Sequence, residues 1–372
     1  MSYAAALRLP LRLVVTPPVA PPLDVPALLE RLLAGEAIDD ATVESAFGAL
    51  LDGALTAAQI AALLVAFRAK GETPAEIAAA VRALRARAHV VRPGLPPGTP
   101  LLDTCGTGGD GAHTFNVSTV AAIVSAACGA KVAKHGNRAV SSRAGSADRV
   151  EALGVPIEGP SPAFEERQLR ALEQSGIAFF FAPRHHGALR HAGPVRRELG
   201  VRTLMNLLGP IANPAGATHQ LLGVFDDRRR AAIASVLGRL GSARAWVVHG
   251  LACEGAPRGL DEVSTAGVTR VTVLEKGALE EREIVPEDAG LARVSMEALK
   301  GSDAQGNAAL ARAVLAGEPV GARAAVVLNA ACALVVAGLA RDLREGRERA
   351  EAALDRGDAA RTLEAWRACM AG

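Results

Sequence analysis

Two short segments in the first half of the chain have the residue types of a phosphate-binding site. The first is the glycine-rich run GTGGD at 106–110, which follows an apolar strand candidate. A glycine turn lets backbone N–H groups approach a phosphate closely, because no Cβ intervenes and positive φ is tolerated. The second segment, Lys134 to Ser142, adds a lysine, an arginine and several neutral donors, which can neutralise the same anion. Together they predict a site for a highly phosphorylated small molecule and a metal ion.

Two helix N-termini are predicted beside these segments. The run TFNVST at 114–119 enters one helix, and Ser146 opens another. Free N–H groups and the helix dipole favour an anion at such a terminus, and the hydroxyl of Ser118 could also bind a hard cation. Helix capping is the alternative for Asn116, Ser118 and Thr119, since all three are common N-cap residues.

The adjacent carboxylates of Asp261 and Glu262 are the candidate metal ligands. Mg²⁺ usually takes one or two protein carboxylates and completes its shell with substrate phosphates and water. Such a pair is by itself most often a solvated turn. The phosphate site predicted elsewhere in the chain is what favours a metal here.

A further polar group contains His185, His186 and Arg196. The two histidines are adjacent and lack the i, i+4 spacing of a helical zinc pair, which argues against a zinc site. If 184–199 forms one helix, Arg196 follows His186 by nearly three turns and points the same way. An arginine in a cleft can hold a substrate carboxylate through a bidentate pair; a surface ion pair is the alternative.

Composition limits the class of protein. The chain of 372 residues is 50% hydrophobic but only 3% aromatic, and its net charge of +2 argues against general nucleic-acid binding. Its five cysteines have no CxxC spacing, which favours free thiols and a cytoplasmic location; Cys105 has no visible activating neighbour and is expected to be a packing residue. The apolar run 324–340 is interrupted by Asn329 and predicts a buried helix rather than a membrane span.

The pattern along the chain predicts two domains. Residues 25–90 show helical periodicity only, and a proline-rich linker follows. From 101 to the end, strands alternate with helices, which is typical of an α/β domain with a mainly parallel sheet. Helices from about 184–205 are expected to join the helical domain, and residues 1–24 to form a disordered or extended segment. The predicted strands are Leu101–Asp103, Lys131–Ala133, Ala178–Phe181, Leu221–Phe225, Ala245–Val248 and Val268–Leu274.

At this point the chain resembles the anthranilate phosphoribosyltransferase family, from about Val25 to its C-terminus. The ordered motifs that carry the resemblance are GTGGD, TFNVST, KHGNRAVSS (134–142), GSAD with EALG (145–154), FAPRHH (181–186), VRRELGVRT (195–203), NLLGP with NP (206–214), VHG (248–250) and DEVS (261–264). The family has a nucleoside phosphorylase/phosphoribosyltransferase-like fold. Its members look like homodimers formed through the helical domain, with a large α/β domain hinged over the site.

The resemblance implies transfer of the phosphoribosyl group from 5-phosphoribosyl 1-diphosphate (PRPP) to the amine of anthranilate, in tryptophan biosynthesis. It implies two magnesium ions per subunit, held by Ser118, Asp261 and Glu262, and anthranilate contacts from Gly106, Asn137, Arg196 and His186. It implies no single catalytic side chain. It implies instead that the substrates are positioned by Arg196, Asn137, His135 and His186. The implied PRPP contacts are Gly106, Gly109, Asp110, Thr114, Asn116, Val117, Ser118, Thr119, Lys134, His135, Gly136, Asn137, Arg138, Ala139, Val140, Ser141, Ser142 and Ser146.

Three features depart from the family pattern. Ala144 replaces a common serine, His185 replaces an aromatic residue before His186, and the segment 158–169 is longer. Two other functions fit parts of the sequence. A pyrimidine nucleoside phosphorylase shares the architecture, but the Asp-Glu pair and KHGNR favour PRPP. A non-catalytic nucleic-acid-binding relative is disfavoured by the near-neutral charge and the intact GTGGD. No membrane or nucleic-acid partner is expected.

Overall fold

The computed structural model describes residues 23–108, 115–138, 145–251, 259–299, 301 and 303–371. The extension predicted for residues 1–24 lies outside this part of the chain apart from its last two residues. Within it, no helix has the length and hydropathy that a bilayer-crossing segment needs.

The first described part of the chain, up to Arg85, has helices and no strand. It forms α1 (Val25–Leu33), α2 (Asp40–Leu51), α3 (Ala57–Lys70) and α4 (Pro74–Arg85). Each helix begins at a residue whose side chain accepts a backbone N–H of the first turn, namely Asp24, Asp39, Thr56 and Thr73. These caps satisfy donors that have no partner inside the helix, which is why the start points are well defined.

The rest of the chain builds a mainly parallel sheet, as predicted. Its strands are β1 (Leu101–Gly106), β2 (Lys131–Gly136), β3 (Ile177–Phe181), β4 (His219–Gly223), β5 (Arg244–Leu251), β6 (Gly259–Leu260), β7 (Thr269–Glu275) and β8 (Ala278–Ile284). The order is β3-β2-β1-β4-β5-β7-β8, with β6 paired to β5. The five strands β3, β2, β1, β4 and β5 run parallel to one another, whereas β6 and β7 are antiparallel to β5, and β8 is antiparallel to β7.

Helices cover both faces of the sheet. The described helices of this part are α5 (Val117–Ala127), α6 (Ser146–Ala152), α7 (Ala163–Gln174), α8 (Ala182–His185), α9 (Gly193–Leu199), α10 (Met205–Ile211), α11 (Arg230–Arg239), α12 (Ala304–Leu315), α13 (Arg323–Val336), α14 (Leu343–Asp355) and α15 (Asp358–Ala371). On one face α5 packs against α13 in a large apolar core. On the other, a second core runs without a break from the helical part to α11 and the sheet, through residues such as Leu28, Ile77, Val195, Leu222 and Val247.

The single helix predicted for 184–199 is wrong. The structure has α8, a 3₁₀ turn over Gly187–His191, and then α9. Gly187 and Gly193 weaken a helix, and Pro194 has no N–H and would clash with the carbonyl four residues earlier. The argument that His186 and Arg196 share one helix face therefore fails, and their relative placement depends on the tertiary fold.

Candidate active site

The Asp261–Glu262 pair lies across the carboxyl ends of three strands. Gly106 at the end of β1 pairs in register with Gly223 at the end of β4, and Gly223 pairs with Val248 of β5. Ligands of open α/β sheets bind at this edge. The structure thus brings the glycine turn and the acidic pair together, although 150 residues separate them along the chain.

Three glycines make this close approach possible. A Cβ at Gly106 would overlap the carboxylate of Asp261, and one at Gly223 would overlap its backbone carbonyl. A Cβ at Gly250 would overlap the carbonyl of Glu262. Sequence reasoning assigned Gly106 to phosphate binding and missed Gly223 and Gly250 as the support of the acidic pair, because only the tertiary structure shows what lies over each strand end.

We expect Gly223→Ala to abolish activity and to lower the melting temperature. The new methyl group would overlap backbone atoms of Asp261, which cannot rotate away as a flexible side chain could. The expected destabilisation is about 1–3 kcal/mol, or more. Gly94→Ala is the matched control, since a Cβ there meets nothing within 4 Å. Thermal unfolding and an activity assay check both variants; wild-type values for Gly223→Ala would contradict the close approach.

The carboxylates of the acidic pair point at two different elements. Asp261 Oδ2 accepts the backbone N–H of Gly108 at 2.6 Å, and Glu262 Oε1 accepts that of Ser118 at 3.3 Å. Asn329 of α13 forms two hydrogen bonds with the backbone of the next residue, Val263. Its Oδ1 accepts the N–H of Val263, and its Nδ2 donates to the carbonyl of Val263. The pair is therefore held between the glycine turn, the start of α5 and α13.

The chemistry of the donors fits a hard cation. Ser118, Asp261 and Glu262 line one small cavity of about 10 Å³, together with Thr104 and Asn329. Carboxylate, hydroxyl and amide oxygens are the ligands that Mg²⁺ prefers. No group of three or more His, Cys, Asp or Glu side chains that could hold a metal occurs among the described residues.

Lys134 lies buried beneath this cavity, only 1% exposed. Its Nζ donates to the carbonyl of Thr104 at 2.5 Å and to Ser118 Oγ at 3.3 Å. Burial lowers its pKa, while the nearby carboxylates of Asp103 and Glu262 act in the opposite direction. In this arrangement Lys134 ties β1 to the start of α5 and orients the hydroxyl of Ser118.

Asp103 of β1 stabilises the end of β2 that carries Lys134. It is fully buried, accepts the N–H of His135 at 3.2 Å and the amide of Asn213 at 2.8 Å, and burial raises its pKa to about 6. Asn213 also donates to the carbonyl of Ala133. Sequence reasoning assigned no role to Asp103 or Asn213, which fix the end of β2 from which Lys134 and His135 project.

The helix starts show how far capping explains the polar residues. Asn116 precedes α5 but makes no capping bond to the backbone; its amide donates to Thr119 Oγ1 at 2.6 Å. The N–H of Ser118 is instead accepted by Glu262, so simple capping does not account for this segment. At α6, Ser146 Oγ donates to the carbonyl of Asn137 at 3.3 Å.

Arg138 is held by two carboxylates of α6. Its guanidinium pairs with Asp148 at 3.0 Å and Glu151 at 2.5 Å, and these partners raise its pKa further above the usual value. It also lies 5.4 Å from the ring centre of Phe181. Its implied contact with PRPP stays a prediction, because another anion would have to compete with these partners.

The three neighbouring histidines differ in their surroundings. His135 and His186 pack edge to face, 5.1 Å between ring centres. Burial lowers the pKa of His186 to about 4 and that of His135 well below its usual value, so both rings are neutral at pH 7. His185 contacts the linker instead: its Nδ1 lies 2.9 Å from the carbonyl of His89, and its own carbonyl accepts the N–H of His89 at 2.8 Å.

Arg196 is half-buried on α9, which packs on α3. Its side chain makes no hydrogen bond, ion pair or ring contact with any described residue, and burial lowers its pKa. The alternative of a surface ion pair for Arg196 is therefore not seen in the described part of the chain. In particular, none of these interactions joins the described side chain of Arg196 to the histidines or to the acidic pair.

Arg202 is a residue near the site that sequence reasoning missed. Its Nη1 donates to the carbonyl of Gly108 at 3.3 Å, and its guanidinium lies 4.0 Å from the ring centre of Phe225. The same Gly108 donates its N–H to Asp261. The third arginine of the VRRELGVRT motif was the available signal. Ala144 and seven of the implied PRPP contacts lie outside the described residues. Those seven contacts are Gly109, Asp110, Thr114, Ala139, Val140, Ser141 and Ser142.

Cys105 is a packed residue, as expected. Burial raises its pKa well above the usual value, and its Sγ lies 3.7 Å from the carbonyl of Pro210. The other described cysteines, Cys128, Cys332 and Cys369, are also free thiols.

Comparison with known proteins identifies the family of the chain. A family model described as "Glycosyl transferase family, a/b domain" matches residues 98–360, and one described as "Glycosyl transferase family, helical bundle domain" matches 26–88. The anthranilate phosphoribosyltransferase of Myxococcus xanthus is 53% identical over 319 residues, which cover 86% of this chain and 90% of that protein.

Solved structures give the same result. The crystal structure of anthranilate phosphoribosyltransferase from Thermus thermophilus matches with a TM-score of 0.84 and 44% identity, over 92% of this chain and 99% of that one. The Saccharomyces cerevisiae enzyme in complex with PRPP and Mg matches with a TM-score of 0.81 and 25% identity, over 93% and 97%. On the strength of the matched domains, the identity and the shared fold, the chain belongs to the anthranilate phosphoribosyltransferase family.

Proposed function

We propose that this chain transfers the phosphoribosyl group of PRPP to the amine of anthranilate, giving N-(5-phosphoribosyl)anthranilate and pyrophosphate, in tryptophan biosynthesis. The main support is the position of the acidic pair, which packs closely against Gly106, Gly223 and Gly250 beside the start of α5. A metal and a phosphate chain can meet at this point. The relatives named above support the same reaction.

PRPP would bind along the carboxyl edge of β1 and β2. The start of α5 offers backbone N–H groups and a favourable dipole to the phosphates. The described residues proposed to contact PRPP are Gly106, Asn116, Val117, Ser118, Thr119, Lys134, His135, Gly136, Asn137, Arg138 and Ser146. The fold of the yeast enzyme that holds PRPP and Mg supports this placement.

Magnesium is proposed to bind Ser118, Asp261 and Glu262, with two ions per subunit. Two positions are supported by the two directions of the carboxylates, one toward Gly108 and one toward Ser118. When bound, magnesium would neutralise the pyrophosphate oxygens as they gain negative charge. Lys134 would keep the hydroxyl of Ser118 oriented toward that region.

Anthranilate is proposed to lie against Gly106, Asn137, His186 and Arg196. The guanidinium of Arg196 has no carboxylate partner in the described chain and would pair with the substrate carboxylate. An aromatic amine is a free nucleophile at neutral pH, so no general base is required. His135 and His186 are neutral at pH 7 and would position the amine without repelling the positive charge that develops on the ribose ring.

The helical part is proposed to form a homodimer interface. Leu33 of α1 is 72% exposed and Val65 of α3 is 44% exposed, and these two helices pack against each other. Large apolar side chains on a helical surface favour association. We also propose that residues 25–90, with helices from about 184–205, act as one domain beside the 101–372 domain, and that the protein is cytoplasmic, which its free described thiols support.

Anthranilate fluorescence tests the activity directly. Purified protein with PRPP, Mg²⁺ and anthranilate should lose the fluorescence of anthranilate, and omission of any component should prevent the loss. Thymidine or uridine with phosphate provides the comparison for a nucleoside phosphorylase. Cleavage of those nucleosides without loss of anthranilate fluorescence would overturn the proposed reaction.

We expect Arg202→Ala to raise the KM for PRPP by about 10-fold with little change in the KM for anthranilate. Arg202 holds the carbonyl of Gly108, whose N–H contacts Asp261, and the loss of a charge-assisted hydrogen bond is worth about 1.5–3 kcal/mol. Arg190→Ala is the control, because among the described residues its guanidinium bonds only to the nearby carbonyl of Gly187. Equal changes in both KM values would show that Arg202 does not act through the glycine turn.

A further inference from the structure

A second cleft lies at the opposite end of β5 from the candidate active site. It has a volume of about 610 Å³, and its floor is formed by Trp246 of β5 and Val273 of β7. Arg244 at the start of β5 lines it, whereas Gly250 near the end of β5 supports Glu262. No residue lines both sites, and the nearest lining residues on β5, Trp246 and Val248, are two positions or about 7 Å apart. The volume lies in the range of small-molecule sites, about 300–1,000 Å³.

The walls of this cleft are apolar near the floor and basic at the rim. Val335 and Leu339, at the end of α13 and just after it, supply the apolar wall. Four arginines and two glutamates line the rim: Arg244, Arg282, Arg341, Arg349, Glu275 and Glu345. Glu280, outside the lining, pairs with Arg282 at 2.7 Å, so the four arginines face three carboxylates.

The glutamates do not use all the arginine donors. Glu345 is shared by Arg341 and Arg349, each at 2.8 Å. Arg244 pairs with Glu275 and donates to the carbonyl of Val335 at 3.0 Å. A guanidinium has five N–H donors, and these contacts leave several without a partner in the described chain. The rim can therefore accept a further anionic group.

Trp246 adds an unused donor at the floor. The residue is only 6% exposed, and its indole N–H makes no hydrogen bond with any described residue. Its Nε1 is not among the described buried atoms that lack a partner, so it contacts solvent in the cleft and can donate to a ligand acceptor. The indole ring also offers a flat apolar surface for a ligand body.

We propose that this cleft binds a small organic anion that has an apolar body and one carboxylate or comparable acidic group. The acidic group would pair with the rim arginines, chiefly Arg341 and Arg349, and accept the N–H of Trp246 where it reaches the floor. The apolar body would cover Val273, Val335 and Leu339. Inorganic phosphate fits less well, because it would leave this apolar surface exposed to water.

Hexanoate is a suitable probe, with hexanamide as the neutral analogue. The chain has two tryptophans, and Trp366 is fully buried, so Trp366→Phe makes Trp246 the only indole. Hexanoate should then change the fluorescence in a saturable way, whereas hexanamide should bind at least about five-fold more weakly. No saturable change, or equal binding of the two compounds, would overturn the proposal.

Arginine variants locate the binding site. Arg341→Gln with Arg349→Gln should weaken hexanoate binding by about five-fold or more. Arg356→Gln with Arg361→Gln is the matched control, since these exposed arginines share Asp358 as the others share Glu345. Arg196→Gln should have no effect, and if it alone removes binding, the active site is the true location and the proposal fails. Calorimetry with the wild-type chain replaces fluorescence if Trp366→Phe does not fold.

Discussion

Replacement of Asp261 by Asn together with Glu262 by Gln should lower kcat/KM for PRPP by at least about 100-fold and remove the response to added Mg²⁺. Both changes keep the size of the side chain and an oxygen that can accept the N–H groups of Gly108 and Ser118. The fold around the glycine turn should therefore survive. What is lost is the pair of negative charges that would hold the metal beside the pyrophosphate.

A magnesium titration of the initial rate checks this prediction, with circular dichroism to confirm folding. Glu318→Gln with Glu364→Gln is the matched control, since both acids are exposed and lie far along the chain from the acidic pair. The control should behave as the wild type does. If the Asp261–Glu262 variant keeps the wild-type magnesium curve, these residues do not hold the metal.

Arg196→Ala should raise the KM for anthranilate by about 100-fold and leave the KM for PRPP nearly unchanged. The guanidinium is half-buried without a carboxylate partner in the described chain, so much of its desolvation has already occurred before the substrate arrives. A bidentate pair with the anthranilate carboxylate would then be strong, and its loss should weaken anthranilate binding selectively.

Two neighbouring variants separate charge from packing at this position. Arg197→Ala removes an adjacent exposed arginine and should have little effect on either KM. Arg196→Lys keeps the charge without the planar pair of donors and should fall between Arg196→Ala and the wild type. Steady-state kinetics with each substrate varied in turn gives both KM values for each variant and for the wild type. Similar increases in both KM values for Arg196→Ala would show that it does not hold the anthranilate carboxylate.

Local patterns predicted much of the fold. The helical N-terminal part, the alternation of strands and helices, and the buried helix α13 all followed from hydrophobic periodicity and from helix caps such as Thr56 and Thr73. These signals are short-range, because a helix cap or an apolar stripe depends on residues a few positions apart. They required no knowledge of the tertiary fold.

The same local reasoning failed where packing overrides propensity. The proposed helix at 184–199 is broken at its glycines and proline, and β8 was missed because six of its seven residues are exposed and show no apolar alternation. As the outer strand, β8 pairs its backbone with β7 and adds polar side-chain contacts such as that of Glu281 with Thr272. Its charged side chains face water and leave no periodic signal.

For the candidate site, the sequence by itself determined the residue types: the glycine turn, the basic segment, the acidic pair and Arg196. Only the tertiary structure decided that Glu262 accepts the N–H of Ser118 at the start of α5, and that Gly223 and Gly250 leave space for the acidic segment. It also decided that Trp246 lines a separate cleft. These arrangements join residues from distant parts of the chain. Each depends on strand register and on which segments pack over the strand ends, and neither can be read from any short window of sequence.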